Sequence, residues 1–432
     1  MAKKTESEIQ QQENNTISLF NASMGSSIKE PIPIKHWYDI GNYALNYICS
    51  KKLRAGLPSG RIVCFDGLSG TGKSLFCCNV LKDKTIDVGV IIDTEGGGIS
   101  RELLEYVNVN IKKVSILKAS TFECYRTSKK NQAVETVAEK DMPQKLETDS
   151  YVYTEGVTYL VKKTLDTILY NPKLREKNIV IILDSIANLQ SVRELNGTSD
   201  MGKKAQEIAR FFRTFDNALE RTGVLFCFTN KLYTNFGDEY HPWVASGGVN
   251  TLYNPSLTIR LAESAANDDV SDSDIKDNRA GKTGAIGTDF KTLTASVIKS
   301  RFGTENKRAQ FILEANTGLV KYSGLFKLLR DYELISQSGS RYSCPTLWSD
   351  SFYKKDFIEK FIQNEDENVD KLQAALDEWE EASRTNKLNR ISSNDIPLDD
   401  TREEDGVEED SVEGLVENPD SMTNDMISAI ER

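Results

Sequence analysis

Apolar residues along this chain fall into short unbroken runs, separated by longer stretches with apolar positions three and four apart. The runs are Arg61–Asp66, Val88–Asp93, Val114–Leu117, Ile179–Asp184 and Val224–Thr229. Most are β-branched and bounded by polar residues, the pattern of parallel strands buried on both faces. Between them, Lys73–Lys82, Gly156–Tyr170 and Gly202–Arg221 read as helices. The last puts Ile208, Phe211, Phe212, Phe215 and Leu219 on one face. This alternation predicts an α/β fold, a mostly parallel sheet flanked by helices. Two stretches interrupt it: Thr127–Ser150 is polar without a period, and Asn267–Gly287 is acidic, then Gly-rich. Both read as surface insertions or mobile loops. A small α+β lobe is expected after Leu319, ending in a helix from about Lys354 to Arg384. The expected division is an N-terminal arm (1–57), the core (58–320), a C-terminal lobe (321–390) and a tail (391–432).

Charge changes the picture only once it is located. The 432 residues carry a net −11, which taken alone argues against a nucleic-acid partner. Ile391–Arg432 holds fourteen acidic residues against Arg402 and Arg432, so the tail carries −12 and residues 1–390, with 52 bases and 51 acids, carry +1. The tail has no aromatic residue and too few apolar ones to offset ordering entropy, so it is expected to be disordered. Two roles stay open for it: a solubilising end, or an acidic mimic of DNA that docks basic surfaces.

Seven cysteines form no CxxC pair, and the mixed-charge start Met1–Gln12 is no export signal. A reduced cytoplasmic setting is expected. Cys64, Cys77, Cys78 and Cys227 lie in apolar runs and read as core residues. With only His36 and His241, His-rich metal sites and a Ser/His/Asp hydrolase are disfavoured. No apolar run approaches the ~18 residues a membrane span needs, so no membrane role is expected.

Gly67-Leu68-Ser69-Gly70-Thr71-Gly72-Lys73-Ser74 fits G-x-x-x-x-G-K-[ST]. It follows an apolar strand and opens a helix, the context that gives the motif its meaning. Glycines let successive N–H groups point at phosphate oxygens, and the positive helix end adds to the attraction. Lys73 would reach the β- and γ-phosphates of ATP, and the Ser74 hydroxyl would ligate Mg2+. The strand Ile179–Asp184 delivers a carboxylate of the kind that holds Mg2+ through water. A third strand ends in Asp93-Thr94-Glu95. Glu95 would orient the attacking water, provided its strand lies next to that of the phosphate loop.

With these motifs placed, the chain resembles the RecA-type strand-exchange recombinases. Asp93-Thr-Glu95, Asp184-Ser-Ile-Ala-Asn-Leu, Phe228-Thr-Asn230 and Gly247-Gly248 occur in that family's order. The phage UvsX-type branch looks nearer still: Val297-Ile-Lys299-Ser-Arg301 is similar to its basic strand, and Tyr322–Leu329 with Thr346–Trp348 to its C-terminal lobe. The resemblance covers roughly residues 58–385 and implies a P-loop NTPase with a RecA-like core. It further implies a DNA-dependent ATPase working as a helical filament of self-associated subunits on single-stranded DNA, which it pairs with double-stranded DNA. Single-strand-binding and loader proteins are implied partners. Lys299 and Arg301 match the basic pair that reaches the γ-phosphate of the neighbouring subunit, as arginine fingers do. Two apart on a strand, they would share one face. On the residues alone, a solvated basic strand edge is the favoured reading.

Two segments follow Asp184 and Asn230, where α/β sheets place ligands. About Ser191–Lys204 carries Arg193, Lys203 and Lys204; about Lys231–Asn250 interleaves Lys231 with Tyr233, Phe236 and Trp243, then Gly247 and Gly248. Bases with aromatics suit single-stranded DNA, although a partly packed surface loop also fits the composition. In the family these are the two DNA-binding loops. There are departures. Bacterial members carry a γ-phosphate-sensing glutamine where this chain has Lys231, and no aromatic follows Glu95 to stack on adenine. By position, the N-terminal arm would supply the clasp between subunits, with Ile17, Leu19 and Phe20 as anchors. A strand-exchange recombinase is therefore the leading function, serving homologous recombination, repair and recombination-dependent replication. A hexameric helicase or motor on the same core, and a non-catalytic ATP-binding filament accessory, remain the alternatives.

Overall fold

The computed structural model describes residues 32–118, 125–127, 134–136, 154–189, 201–234, 243–248, 250–264, 290–314 and 317–393. Its chain forms two compact units that divide after Trp379. The strands, in chain order, are β1 (Trp37–Tyr38), β2 (Leu57–Pro58), β3 (Ile62–Gly67), β4 (Val88–Asp93), β5 (Val114–Lys118), β6 (Tyr125–Thr127), β7 (Val134–Thr136), β8 (Ile179–Asp184), β9 (Leu225–Thr234), β10 (Trp243–Ala245), β11 (Leu257–Glu263), β12 (Phe290–Ser300), β13 (Arg308–Glu314), β14 (Gly318–Leu319), β15 (Ser336–Ser338) and β16 (Arg341–Ser343). The helices are α1 (Tyr43–Ser50), α2 (Lys73–Val80), α3 (Arg101–Tyr106), α4 (Thr154–Tyr170), α5 (Pro172–Arg175), α6 (Met201–Thr222), α7 (Asn250–Tyr253), α8 (Leu325–Asp331), α9 (Phe357–Gln363) and α10 (Glu365–Ser393).

The predicted α/β architecture is present. A sheet of ten strands runs in the order β14-β13-β12-β11-β3-β9-β8-β4-β5, with β10 added beside β9. From β11 to β5 every neighbouring pair is parallel, while β12, β13 and β14 extend one edge antiparallel. Alternate residues of each central strand feed opposite layers, which is why the apolar runs are unbroken. Val63 and Phe65 of β3 pack into a cluster with α1, α2 and the C-terminal helices. Ile62 and Cys64 pack instead with Val161 and Leu165 of α4 and with Phe211 and Phe215 of α6. Phe215 meets Phe226 of β9 at 5.3 Å between ring centroids, and Phe211 meets Phe215 edge-on at 4.6 Å.

The expected strands and helices of the core sit within a few residues of their predicted bounds, with one extension that matters, whereas the single helix expected from about Lys354 to Arg384 is two, α9 and α10, separated at Asn364. β9 was expected to end at Thr229 and instead continues to Thr234. Residues 37–57 pack into the body: Tyr38, Leu45, Tyr47, Ile48 and Leu57 are buried in the same cluster as Leu372 and Leu376 of α10. The candidate clasp anchors Ile17, Leu19 and Phe20 lie outside the described residues, as do Asn267–Gly287 and the tail from residue 394. Of Thr127–Ser150, the described part is Thr127 and β7, which pairs antiparallel with β6. The described part of the second unit is helical to Ser393, past the expected end near Arg384. The six described cysteines are all buried and free. Among the described residues, no helix is long and apolar enough to cross a membrane.

Candidate nucleotide-binding site

The phosphate-loop motif lies where its sequence context places it, between β3 and α2. Its backbone needs the glycines: Gly70 and Gly72 hold φ of 80° and 78°, the left-handed region that penalises other residues. A Cβ at Gly72 would also stand 2.3 Å from Leu313 Cδ2 on β13. The loop is closed on itself by Thr71, whose hydroxyl donates to the Leu68 carbonyl at 2.9 Å. Lys73 folds back over it, donating from Nζ to the carbonyls of Gly67 (3.0 Å) and Leu68 (2.6 Å). Ser69 and Gly70 are exposed on the loop's outer turn.

Asp184 ends β8 and is buried, with 2% of its surface exposed. The β8–β9 register brings Thr229 beside it, and the Thr229 hydroxyl donates to Asp184 Oδ1. Asp184 Oδ2 is buried without a hydrogen-bond partner. Burial pushes the Asp184 carboxyl above its ordinary range, partly offset by the nearby Ser74 and Thr229 hydroxyls. An orphaned buried carboxylate oxygen with a serine hydroxyl close by is a donor set that fits Mg2+, which takes one or two protein oxygens and keeps water and phosphate oxygens for the rest. Among the described residues there is no cluster of three or more metal-binding side chains, so no all-protein metal cage competes with that reading.

Glu95 reaches the same space by a different route from the one expected. Its strand β4 pairs with β8 and β5, so β8 and β9 both stand between it and β3. The adjacency condition fails, and the loop after β4 does the work instead. Asp93 accepts from the backbone N–H groups of Glu95 (2.9 Å) and Gly97 (2.6 Å), fixing the turn. Thr94 clips that turn to β8: its N–H donates to the Asp184 carbonyl at 2.8 Å, and its hydroxyl donates to the Ser185 carbonyl at 2.7 Å. Glu95 then accepts from the Ser185 hydroxyl at 2.9 Å and pairs with Lys231 Nζ at 2.9 Å. A Cβ at Gly98 would lie 3.3 Å from Asp184 Oδ2 and 3.8 Å from Glu95 Oε2, so both carboxylates border one small space.

Electrostatics ties these groups together. Burial lowers the Lys73 ammonium below its ordinary range, opposed by Glu95 and Asp184 and reinforced by Lys231. Burial also acts to raise the Glu95 carboxyl, but hydrogen bonds from Lys231 and Ser185 and the attraction of Lys231 and Lys73 hold it below its ordinary range. Beneath the loop, Arg260 of β11 forms a two-point ion pair with Asp66 of β3, at 3.0 Å and 2.7 Å. The pair fixes the strand that feeds the loop.

Lys231 is the largest difference from the sequence reading. It was grouped with the DNA-facing residues, yet it belongs to β9 opposite Gly67, with Nζ on Glu95 and on Asn188 Oδ1 at 3.2 Å. The segment read as a loop is in part a hairpin, β10 pairing with Leu232–Thr234. Tyr233 and Trp243 are exposed on it, at 54% and 40%. Gly247 and Gly248 both hold positive φ in the turn before α7, where a Cβ would crowd Ile208 and Ala205 of α6. Arg193 and Phe236 lie outside the described residues, as do the side chains of Lys203 and Lys204, whose backbone is in the first turn of α6.

Lys299 is on β12, its ammonium donating to the carbonyls of Leu252 (3.2 Å) and Tyr253 at the end of α7. Burial lowers its pKa, and Arg301 adds to that. Arg301 lies just past the strand, which ends at Ser300, and its N–H donates to the Ser256 carbonyl at 2.9 Å. Ser185, Asn188, Thr94 and Arg260 were missed from sequence. Asn188 and Ser185 sat in the quoted Asp184–Leu189 stretch, and that position was the available signal.

This sheet, with its phosphate-loop motif on β3, defines an α/β core of the RecA-like kind. Comparison with known proteins agrees. Protein RecA of Francisella tularensis subsp. tularensis is 24% identical over 231 residues, covering 52% of this chain and 58% of that protein. Protein RecA of Francisella philomiragia subsp. philomiragia is 23% identical over 168 residues, covering 38% and 42%. The chain thus spans about half the length of the curated relatives it matches. No family model matches it. The likeness is weak in identity and supports a place with RecA-type recombinases.

Proposed function

We propose that this protein is an ATP-dependent strand-exchange recombinase that works as a helical filament on single-stranded DNA. The observation that carries the proposal is the convergence of Lys73, Ser74, Asp184 and Glu95 at one end of the parallel strands, where α/β sheets bind ligands. Distant likeness to RecA proteins supports the same reading. The phosphate loop's N–H groups and Lys73 bind and orient the β- and γ-phosphates. Ser74 and Asp184 would hold Mg2+, which when bound neutralises charge on the phosphates. Glu95 accepts a proton from, or aligns, the attacking water, held by Ser185 and the Asp93 turn. Lys299 and Arg301 act on the ATP of the adjacent subunit. The β9–β10 hairpin offers Tyr233 and Trp243 as stacking surfaces for single-stranded DNA, and by sequence position Arg193, Lys203, Lys204, Phe236 and the Gly247–Gly248 backbone belong to the same DNA-facing segments.

The arm before the core would supply the clasp between subunits, and the resemblance to the UvsX-type branch makes a phage-type recombinase the finer form of the proposal. Electron microscopy with single-stranded DNA and ATP tests it together with a strand-exchange assay. Helical filaments and exchange that a non-hydrolysable ATP analogue still permits are the expected result. Rings with steady ATP-driven unwinding of a forked duplex would replace it with a motor.

A further inference from the structure

We propose that Lys291 is a positioning residue that latches the outer turn of the phosphate loop and so aims one of the loop's backbone N–H groups at a bound phosphate. The inference rests on the nucleotide reading above and adds a residue from outside the motif. Three observations carry it. First, Lys291, near the start of β12, donates from Nζ to the carbonyl of Gly70, within the Gly67–Ser74 motif, at 2.9 Å. Second, beyond its chain neighbours no atom stands within 4 Å of the place a Cβ would take on Gly70, and Ser69 and Gly70 are exposed, so packing does not hold this turn. Third, the same ammonium pairs with Glu263 at the end of β11. The Ser264 N–H donates to the Thr292 carbonyl at 3.0 Å, so the two strand ends that carry the pair are themselves joined.

The effect follows from the planarity of the peptide. The Gly70 carbonyl and the Thr71 N–H belong to one rigid unit and point in opposite directions. A carbonyl held toward Lys291 therefore turns the Thr71 N–H the other way, into the turn. There its nitrogen lies 3.5 Å from the Leu68 oxygen, beyond the length of a strong bond, so the N–H is open to an anion. Glycine, with φ of 80° at Gly70, leaves this unit free to rotate. Rotation would set the negative end of the carbonyl against the phosphate. The ammonium opposes it, because a charge-assisted hydrogen bond is lost on the way. Glu263 keeps the ammonium in place. The Lys291 and Glu263 side chains are 50% and 57% exposed, so the latch adds little to the stability of the fold and acts on the shape of the loop.

The test titrates the full chain with ADP and with a non-hydrolysable ATP analogue by calorimetry, comparing Lys291→Met, Lys291→Arg and Glu263→Gln with the wild type. Lys291→Met should bind both nucleotides about three- to tenfold more weakly, by similar factors, because both carry the phosphate that the loop surrounds. Lys291→Arg, which keeps the charge and the donors, should recover most of that loss, and Glu263→Gln should show a smaller one. In turnover, the Lys291→Met loss should fall on KM more than on kcat. The melting temperature without nucleotide should move by less than about 2 °C, whereas a merely structural role would lower it further. Unchanged affinity in Lys291→Met, or a loss matched by a large fall in nucleotide-free melting temperature, overturns the proposal. A loss confined to the ATP analogue overturns it too, since Lys291 would then bind the terminal phosphate itself. A wild type that binds neither nucleotide overturns the nucleotide reading, whereas equal binding by the wild type and Lys291→Met removes the latch alone, so the two failures are told apart.

Discussion

The protein holds two groups of cations in opposite ways. At the phosphate loop, Lys73 and Lys231 bind partners inside the site: loop carbonyls for one, Glu95 and Asn188 for the other. At the antiparallel edge, Lys299 is parked on the last carbonyls of α7 and lies 5.9 Å from the Tyr253 ring centroid. Neither of these partners belongs to the phosphate loop. The partners of the first group all belong to the phosphate loop and the strand ends beside it. The second is a cation held by two helix-end carbonyls, with Glu305 the carboxylate that acts on it. The difference teaches that spacing identifies the first group, whereas the second takes a role only from something outside the chain. A neighbouring subunit's nucleotide is the proposed answer.

The comparison breaks most sharply at Lys73. Lys73→Ala should reduce ATP turnover by about a hundredfold or more, because the loss falls on charge stabilised in the transition state. Normal turnover in a steady-state phosphate-release assay would remove the phosphate-loop reading. Lys299→Ala with Arg301→Ala should lose most of the acceleration that filament formation gives, about a hundredfold, while turnover by dispersed subunits stays as in the wild type. If wild-type subunits and filaments hydrolyse at the same rate, the second group has no role in trans. Glu95→Gln should bind nucleotide and DNA but hydrolyse about a hundredfold more slowly, at the lower end for a lost general base. Below these lies a stability effect. Asp66→Ala strands Arg260 against β3 and should cost about 3 kcal/mol in denaturant unfolding, the low end for a broken buried pair, since Arg260 keeps 26% of its side chain in solvent. A loss under ~0.5 kcal/mol would mean the pair does not fix the loop's strand.

The two groups were also unequally legible in the sequence. Phosphate binding needs glycines, a lysine and a hydroxyl at fixed spacing along one segment, so Gly67–Ser74 announces itself. The sheet was legible because strands buried on both faces must be apolar without interruption, as at Ile179–Leu183. What was not legible depended on strand order. Nothing in the spacing of Glu95 says that two strands separate β4 from β3, or that Thr94 bridges to Ser185 across that sheet. Lys231 looked like a base in a polar loop because β9 continues past its apolar run, and strand continuation there is set by pairing with β10 rather than by composition. The end of β12 at Ser300, one residue before Arg301, likewise has no mark in a Lys-x-Arg pattern.

The smallest effect concerns a third set of charges that would act on both groups. Residues 394–432 carry the whole −12 of the tail, since Ile391, Ser392 and Ser393 are neutral. A chain ending at Ser393 therefore keeps α10 whole and loses only charge. If the tail competes with DNA for the body's bases, the truncated protein should bind single-stranded DNA several-fold more tightly at low salt. The gain should fade toward about 0.5 M salt, where screening shortens the reach of exposed charge to a few ångströms. Fluorescence anisotropy across a salt series reads it directly. Competition makes the affinity gain depend on salt, because both the tail and the DNA are displaced by counterions from the same sites. A solubilising tail leaves the salt slope unchanged and lowers only the concentration at which the protein precipitates. The slope, rather than the affinity at one salt concentration, is what separates the two roles of the acidic end.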